Sequence, residues 1–264
     1  MTEKAMVSLG IAAAVGPELA ASIASAAEIA GFHALWVNDV PGADALAVLA
    51  SAARVTDRLM LATGVIPVDR RPARNIVADV RAAGLDQSRL ILGIGAGQTR
   101  SGGLRLVREA ATELRDAFSS PVLVGALGPR MRRLAVDEAD GVLLSWLTPA
   151  VARAQAAEAH RITPATRVAL YTRTVLETSA VPRLRREVAR YAALPPYAAN
   201  FAREAIGPDE TVLDAATRPT AEPLVAYRDG VDEVVLRAIT PDDTVGDYLR
   251  FIEAAQRMIL LTAP

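Results

Sequence analysis

The chain has 264 residues, which suits one large domain, and its composition limits the functions it can have. Hydrophobic residues make up 52% and aromatic residues only 4%, so we expect the aliphatic core that fills a parallel barrel. The 29 Lys and Arg residues and 30 Asp and Glu residues leave a formal net charge of −1, which implies no nucleic-acid partner. The chain contains no cysteine, which excludes disulfides, thiolate nucleophiles and zinc–sulfur sites.

The sequence also carries no membrane or export signal. No segment approaches the roughly 18 uninterrupted apolar residues of a membrane span. The first residues, Met1–Lys4, are polar and lack the charged-then-apolar pattern of a signal peptide. We therefore expect a cytoplasmic protein with no membrane partner.

Short apolar segments alternate with longer segments of helical spacing along the chain. The predicted strands are 5–12, 34–37, 59–65, 90–94, 121–124, 141–145, 167–171 and 231–236. The predicted helices between and after them are 16–28, 43–55, 75–83, 104–118, 129–137, 149–159 and 245–258. Parallel strands joined by right-handed crossovers close into a barrel, so the pattern predicts an α/β fold, a (β/α)₈ TIM barrel, as a single domain over 1–264.

One region departs from this alternation. Residues 178–223 are more numerous than a barrel connection needs and include six prolines. We expect a helical insertion between strands seven and eight, because long barrel loops usually serve function or oligomer formation.

The active site of such a barrel lies on the loops that follow the strands. After strand five, Gly125, Ala126, Leu127, Gly128, Pro129 and Arg130 lead into a helix. Gly128 allows close backbone approach, Pro129 suits the first helical turn, and free amides with Arg130 would hold a phosphate. An ordinary strand-to-helix turn explains the same residues.

Three other strand ends offer candidates. Gly95, Ala96, Gly97 and Gln98 form a flat backbone surface for a planar ring or phosphate, although turn geometry also accounts for the glycines. Asn38 and Asp39 are candidate catalytic residues that would contact or orient a substrate, or else cap the next helix. Trp146 would either wall a ligand ring or cover the core.

Acid–base and metal chemistry have few candidates. His33 precedes strand two and so lies at the opposite face of the barrel, and His160 ends an outer helix. No His and carboxylate cluster has metal-ligand spacing, so we expect no metal. This profile points to a cofactor that brings its own reactivity.

Five segments in order carry a resemblance to a known family. They are 27–39 (AEIAGFHALWVND), 58–65 (RLMLATGV), 89–97 (RLILGIGAG), 121–131 (PVLVGALGPRM) and 139–149 (ADGVLLSWLTP). The chain resembles the bacterial luciferase-like superfamily, and most closely its branch of coenzyme F420-dependent oxidoreductases, which use an 8-hydroxy-5-deazaflavin.

The resemblance implies a site on the carboxyl face of the barrel. Thr63, Gly64 and Val65 would form a bulge with a non-prolyl cis peptide behind the central ring of the cofactor. The segments 95–98 and 125–130 would flank the ring and hold its phosphate, and Asn38 and Asp39 would lie near the reacting carbon. The resemblance also implies a homodimer acting on a small organic substrate.

The chain departs from the family at three places, one of which is Ser145, directly before Trp146, where close relatives often have Asn. The substrate loop after strand four is short, because 98–103 runs directly into a helix, so the pocket is open or completed by another subunit. Asp39 and Val40 stand where some members have a catalytic His, so that mechanism is not inherited. An FMN-dependent monooxygenase and a cofactor-less accessory protein, the latter with a trans strand-three peptide, stay open as alternatives.

Overall fold

The computed structural model describes residues 4–99, 101–217 and 221–262, and its strands form a closed parallel barrel. The strands are β1 (Met6–Ala12), β2 (Ala34–Asn38), β3 (Met60–Thr63), β4 (Ile66–Pro67), β5 (Leu90–Gly95), β6 (Val122–Gly125), β7 (Gly141–Ser145), β8 (Arg167–Val175), β9 (Leu213–Asp214) and β10 (Glu233–Ala238). Eight of them close the barrel in the order β1, β2, β3, β5, β6, β7, β8 and β10, with β10 paired to β1. The predicted (β/α)₈ TIM barrel is confirmed.

Helices follow the strands around the outside of the barrel. They are α1 (Gly16–Ile29), α2 (Ala45–Ala53), α3 (Ala73–Ala82), α4 (Gly103–Ala117), α5 (Pro129–Glu138), α6 (Pro149–Ile162), α7 (Val181–Ala192), α8 (Pro195–Glu204), α9 (Glu222–Arg228) and α10 (Val245–Leu261). Gly31, which follows the first helix, has φ +82°, the left-handed conformation that a glycine adopts without a steric penalty. No helix in the described ranges is long and apolar enough to cross a membrane.

Two predicted strands differ clearly from the observed ones, and the last, predicted at 231–236, is shifted by two residues to Glu233–Ala238. The third predicted strand, 59–65, divides into β3 and the short β4 around Gly64 and Val65, and β4 pairs with β5. The seventh, predicted to end at residue 171, continues as β8 to Val175. The added residues 172–174 are Thr, Arg and Thr, so they lack the apolar pattern that predicts a strand. They nevertheless continue the pairing with β10, as far as Thr174 beside Ala238.

The barrel interior is apolar in the middle and polar at the amino-terminal end. Trp36, Leu123, Leu143 and Val235 belong to the buried cluster inside the strands. Below them Glu233 is fully buried and accepts hydrogen bonds from Trp36 Nε1 at 2.6 Å and from the Arg167 guanidinium at 2.7 Å. The floor of the barrel is therefore closed by a paired carboxylate, and the opposite end is left for ligands.

The predicted helical insertion between the last two barrel strands is confirmed. It contains α7, α8 and the short β9, which extends the sheet beside the end of β8. Leu184, Val188 and Phe201 of α7 and α8 pack with Trp146 in a separate buried cluster. The insertion therefore covers the barrel mouth on the side of β7 and β8.

Candidate functional site

The barrel mouth gathers predicted residues from four different strand ends. Asn38 ends β2, Gly64 and Val65 follow β3, Gly95 ends β5 and Gly125 ends β6. Gly64 and Gly95 are buried, whereas Asn38, Val65 and Gly125 keep partial exposure. The fold thus brings residues distant in sequence to one surface.

Val65 is the centre of an apolar platform at this mouth. A Cβ placed on Gly95 would lie 2.8 Å from Val65 Cγ2, and one on Gly125 would lie 3.0 Å from Val65 Cγ1. The Val65 side chain therefore occupies the space that side chains at both glycines would need. The peptide bond between Gly64 and Val65 is cis, as the resemblance implied.

Thr63 ties the platform to the neighbouring strand. Its hydroxyl donates to Gly93 O and accepts from Gly93 N, both at 2.9 Å. The side chain of Thr63 is fully buried, so it acts here by positioning the Gly64–Val65 backbone.

A chain of hydrogen bonds crosses the mouth beside the platform. The Tyr171 hydroxyl donates to Asn38 Oδ1 at 2.7 Å, and Asn38 Nδ2 donates to Gly64 O. Burial raises the pKa of Tyr171 above its usual value, against the opposing attraction of Arg237 and Arg173. Tyr171 is therefore a neutral donor that fixes the Asn38 amide.

Asp39, the other predicted catalytic residue, is engaged in helix capping and ion pairing. Oδ1 accepts from Ala45 N at 3.2 Å, and Oδ2 pairs with the Arg70 guanidinium at 2.9 Å. The Asp39 side chain is only 5% exposed. These contacts correspond to the capping role that the sequence also allowed, and a catalytic role for Asp39 stays a prediction.

The loop after β5 wraps around an acidic side chain. Gly97 has φ +67°, and a Cβ there would lie 1.8 Å from Asp69 Oδ1. Gln98 N donates to Asp69 Oδ2 at 2.8 Å. Contact with Asp69 therefore explains Gly97, while Ala96 and Gln98 keep exposure at the rim of the mouth.

The predicted phosphate site lies at the start of α5. Gly128 is the N-cap residue without a side-chain cap, Pro129 opens the helix, and Arg130 is exposed. Arg203 of α8 donates to Leu127 O at 2.6 Å, which brings a second guanidinium to this helix terminus. Gly125, Ala126 and Leu127 precede Gly128 in the chain and connect the amino terminus of α5 to the Val65 platform.

Trp146 is covered by the insertion. It is 1% exposed, its ring centre lies 4.8 Å from that of Tyr191, and the Arg173 guanidinium stacks on it at 4.2 Å. Trp146 therefore takes the covering role that the sequence allowed as an alternative, and its contact with a ligand ring stays a prediction.

Charged residues that the sequence did not indicate are buried beside Trp146. Arg173 of β8 pairs with Glu187 of α7 at 3.1 Å and donates to Ser145 Oγ at 2.7 Å. Burial by itself would raise the pKa of Glu187, but attraction from Arg173 and Arg237 outweighs it and lowers that pKa. The alternation of Ala169, Tyr171 and Arg173 along β8 was the signal, because period two places all three on one face.

The two histidines lie away from the mouth. His33 accepts from the Arg167 guanidinium at 2.9 Å near the buried Glu233, and His160 contacts Asp232 at 3.1 Å. Over the part of the chain that is described, no three His, Asp or Glu side chains are grouped to hold a metal ion.

Comparison with known families and structures shows which proteins this chain is similar to. Residues 7–102 match the family model described as luciferase-like monooxygenase, which confirms the resemblance to the luciferase-like superfamily. The match spans β1 to β5, including the Val65 platform and the short loop that follows. No curated protein matches the sequence.

Solved structures share the fold at low sequence identity. The F420-dependent tetrahydromethanopterin reductase from Methanopyrus kandleri superposes with a TM-score of 0.73 at 16% identity, covering 98% of this chain and 99% of that one. An F420-dependent secondary alcohol dehydrogenase in complex with an F420–acetone adduct has a TM-score of 0.75 at 16% identity, covering 99% and 100%. The oxygenating constituent of 3,6-diketocamphane monooxygenase from Pseudomonas putida, in complex with FMN, has a TM-score of 0.68 at 12% identity, covering 98% and 100%.

Proposed function

We propose that the chain is a coenzyme F420-dependent oxidoreductase that transfers a hydride between the deazaflavin and a small organic substrate. The observation that carries the proposal is the Val65 platform, where an apolar side chain lies between two glycines at the ends of β5 and β6. Similarity in fold to two F420-dependent enzymes supports the same cofactor.

The residues of the mouth fit a tricyclic ring with a phosphate-bearing tail. Val65 would support the ring face, since Gly95 and Gly125 leave free the space that its side chain occupies. The amino terminus of α5, with Arg130 and Arg203, would hold the phosphate. When bound, the deazaflavin supplies hydride donation or acceptance at its ring.

The chain itself contributes orientation and exclusion of water. Tyr171 holds its proton on Oη and donates it to Asn38 Oδ1, so the Asn38 amide has one orientation at the edge of the platform. The insertion helices α7 and α8 cover one side of the mouth and limit access of water to it.

Binding measurements with both cofactors test the proposal. F420 and FMN are titrated separately into the purified protein, followed by the change in their fluorescence and by calorimetry. We expect F420 to bind, and we expect Val65→Ala to weaken binding about tenfold because two methyl groups leave the platform. Val225→Ala, at an exposed position on α9, is the matched control and should bind F420 as the parent does.

The other two outcomes would contradict F420 dependence. Tight binding of reduced FMN with oxygen consumption would support a monooxygenase, which the fold shared with an FMN-bound enzyme also allows. Binding of neither cofactor at high micromolar concentration would support a cofactor-less accessory protein.

We also propose a homodimer, on the family resemblance, and a single folded domain over 1–264, on the chain length and the alternation of strands and helices. Light scattering during size-exclusion chromatography would test the first. A single cooperative unfolding transition, with the insertion unfolding together with the barrel, would support the second.

A further inference from the structure

Arg237, on the last barrel strand, is a buried guanidinium without a carboxylate partner. Its side chain lies at the carboxyl end of β10, and the residue is only 8% exposed. Its one hydrogen bond within the described residues goes from Nη1 to Ala238 O. A guanidinium has five N–H donors, so most of its hydrogen-bonding capacity is left unused.

The two carboxylates that attract Arg237, those of Glu187 and Asp243, already have arginine partners. Glu187 pairs with Arg173 at 3.1 Å, and Asp243 pairs with Arg183. Glu187 and Asp243 attract Arg237 as well, so three guanidinium groups share two carboxylates on this side of the mouth, an excess of one positive charge. Such a charge is costly to bury unless an anion completes it.

The strand order places this charge across the mouth from the Val65 platform. In the register of the parallel sheet, Arg237 lies beside Arg173 of β8 on one side and beside Gly10 of β1 on the other. A Cβ on Gly10 would lie 2.7 Å from the Tyr171 hydroxyl and 3.1 Å from Arg237 Cα, so Gly10 leaves room where the two residues meet. In barrel order β10 is four strands from β5, so Arg237 lies across the mouth from Gly95 and the Val65 platform.

We propose that Arg237 binds the carboxylate of the substrate, so that the small organic substrate is a monocarboxylate. The inference rests on the proposed function for its reaction, while the anion subsite itself rests on Arg237 and its neighbours. A guanidinium pairs with a planar carboxylate through two parallel hydrogen bonds. One uncompensated charge matches a monoanion, whereas a phosphate dianion would need a second free cation, and Arg173 is already paired with Glu187.

Ligand binding and thermal stability test the subsite without any turnover. Benzoate, its neutral analogue benzamide and inorganic phosphate are titrated by calorimetry into the cofactor-free and F420-loaded protein at constant ionic strength. We expect benzoate to bind and benzamide not to bind. Arg237→Gln should weaken the binding of benzoate at least about tenfold. Arg237→Lys should recover only part of the affinity, because an ammonium group lacks the two parallel N–H donors of a guanidinium.

The variants also make a prediction for the protein without ligand. Arg237→Gln removes the uncompensated charge, so its melting temperature should be at or above that of the parent, and benzoate should raise only the parent's melting temperature. Arg105→Gln, an exposed arginine on α4, is the matched control and should respond to benzoate as the parent does.

The possible failures are distinguishable. Equal benzoate affinity in the parent and Arg237→Gln, or no benzoate binding in either cofactor state, would overturn the subsite. Phosphate binding more tightly than benzoate would overturn the carboxylate assignment. Failure of F420 to bind would overturn the proposed function alone, because benzoate is also measured without cofactor.

Discussion

His33 shows how a single side chain at the closed end of the barrel is kept neutral. The Arg167 guanidinium donates to its Nε2, which requires an unprotonated nitrogen, and the same guanidinium nitrogen also donates to Glu233. Burial lowers the pKa of His33, and repulsion from Arg167 adds to this against the attraction of Glu233. His33 therefore has a structural role at the end of the barrel opposite to the candidate site.

This arrangement makes stability depend on pH. Because the pKa of His33 is lower in the folded state than its unfolded value of about 6.5, its contribution is complete above that pH. The contribution is lost as the pH falls through the folded-state pKa. His33→Gln keeps an acceptor for Arg167 but does not titrate, so its free energy of unfolding should fall less than the parent's between about pH 7 and pH 5. Urea denaturation at several pH values measures the difference, and parallel curves for both proteins would refute it.

At the scale of a secondary-structure element, the insertion helix α7 is attached to the barrel by a buried ion pair. Glu187 of α7 meets Arg173 of β8, and the Arg173 guanidinium also stacks on Trp146 and on Tyr191 at 4.7 Å. The Arg173 and Glu187 side chains are 5% and 13% exposed. Removing one partner from such a pair leaves the other charge uncompensated, which costs more than the loss of the contact alone.

Glu187→Gln should therefore lower the free energy of unfolding by about 1–3 kcal/mol at neutral pH. The pKa of Glu187 is lowered in the fold, so its contribution is present above the unfolded value and is lost as the pH falls through the folded value. The cost of the substitution should accordingly shrink below about pH 4. Denaturation at pH 7 and pH 3 measures it, and Glu253→Gln, at an exposed position on α10, is the matched control. A cost that does not change with pH would contradict the ion-pair argument.

At the scale of the whole molecule, closure of the barrel depends on the contact of β5 with β3. A Cβ on Gly93 would lie 2.0 Å from Thr63 O, a backbone atom that cannot relieve the clash by changing rotamer as a side chain could. Gly93→Ala would push the two strands apart and loosen the platform that Thr63 positions.

Gly93→Ala should lower stability by at least about 1–3 kcal/mol, as overpacking does in a closed core. Gly246→Ala is the matched control, since its Cβ would lie 3.4 Å from the flexible Arg250 guanidinium within α10. Helix propensity favours alanine there by up to about 1 kcal/mol, so the control should be unchanged or more stable. Thermal unfolding of both variants tests the comparison, and equal effects would show that β3 and β5 adjust without cost.

Periodicity along the chain predicted the barrel and the position of most strands and helices. The predicted bounds of the strand Gly141–Ser145 agree with the observed ones, because this short apolar segment is buried and lies between two helical segments. The division of the third predicted strand at Gly64 and the extension of β8 to Val175 were not predictable, since both depend on neighbouring strands.

The sequence by itself determined the fold and the set of loops that form the barrel mouth, because apolar periodicity and strand order follow from local pattern alone. It also identified Asn38, Val65, Gly95, Gly125 and Arg130 as members of that mouth. Only the tertiary structure decided how charge is distributed there. Arg173, Glu187 and Arg237 come from β8, α7 and β10, and whether a buried charge is paired depends on which side chains the folded chain brings within a few ångströms.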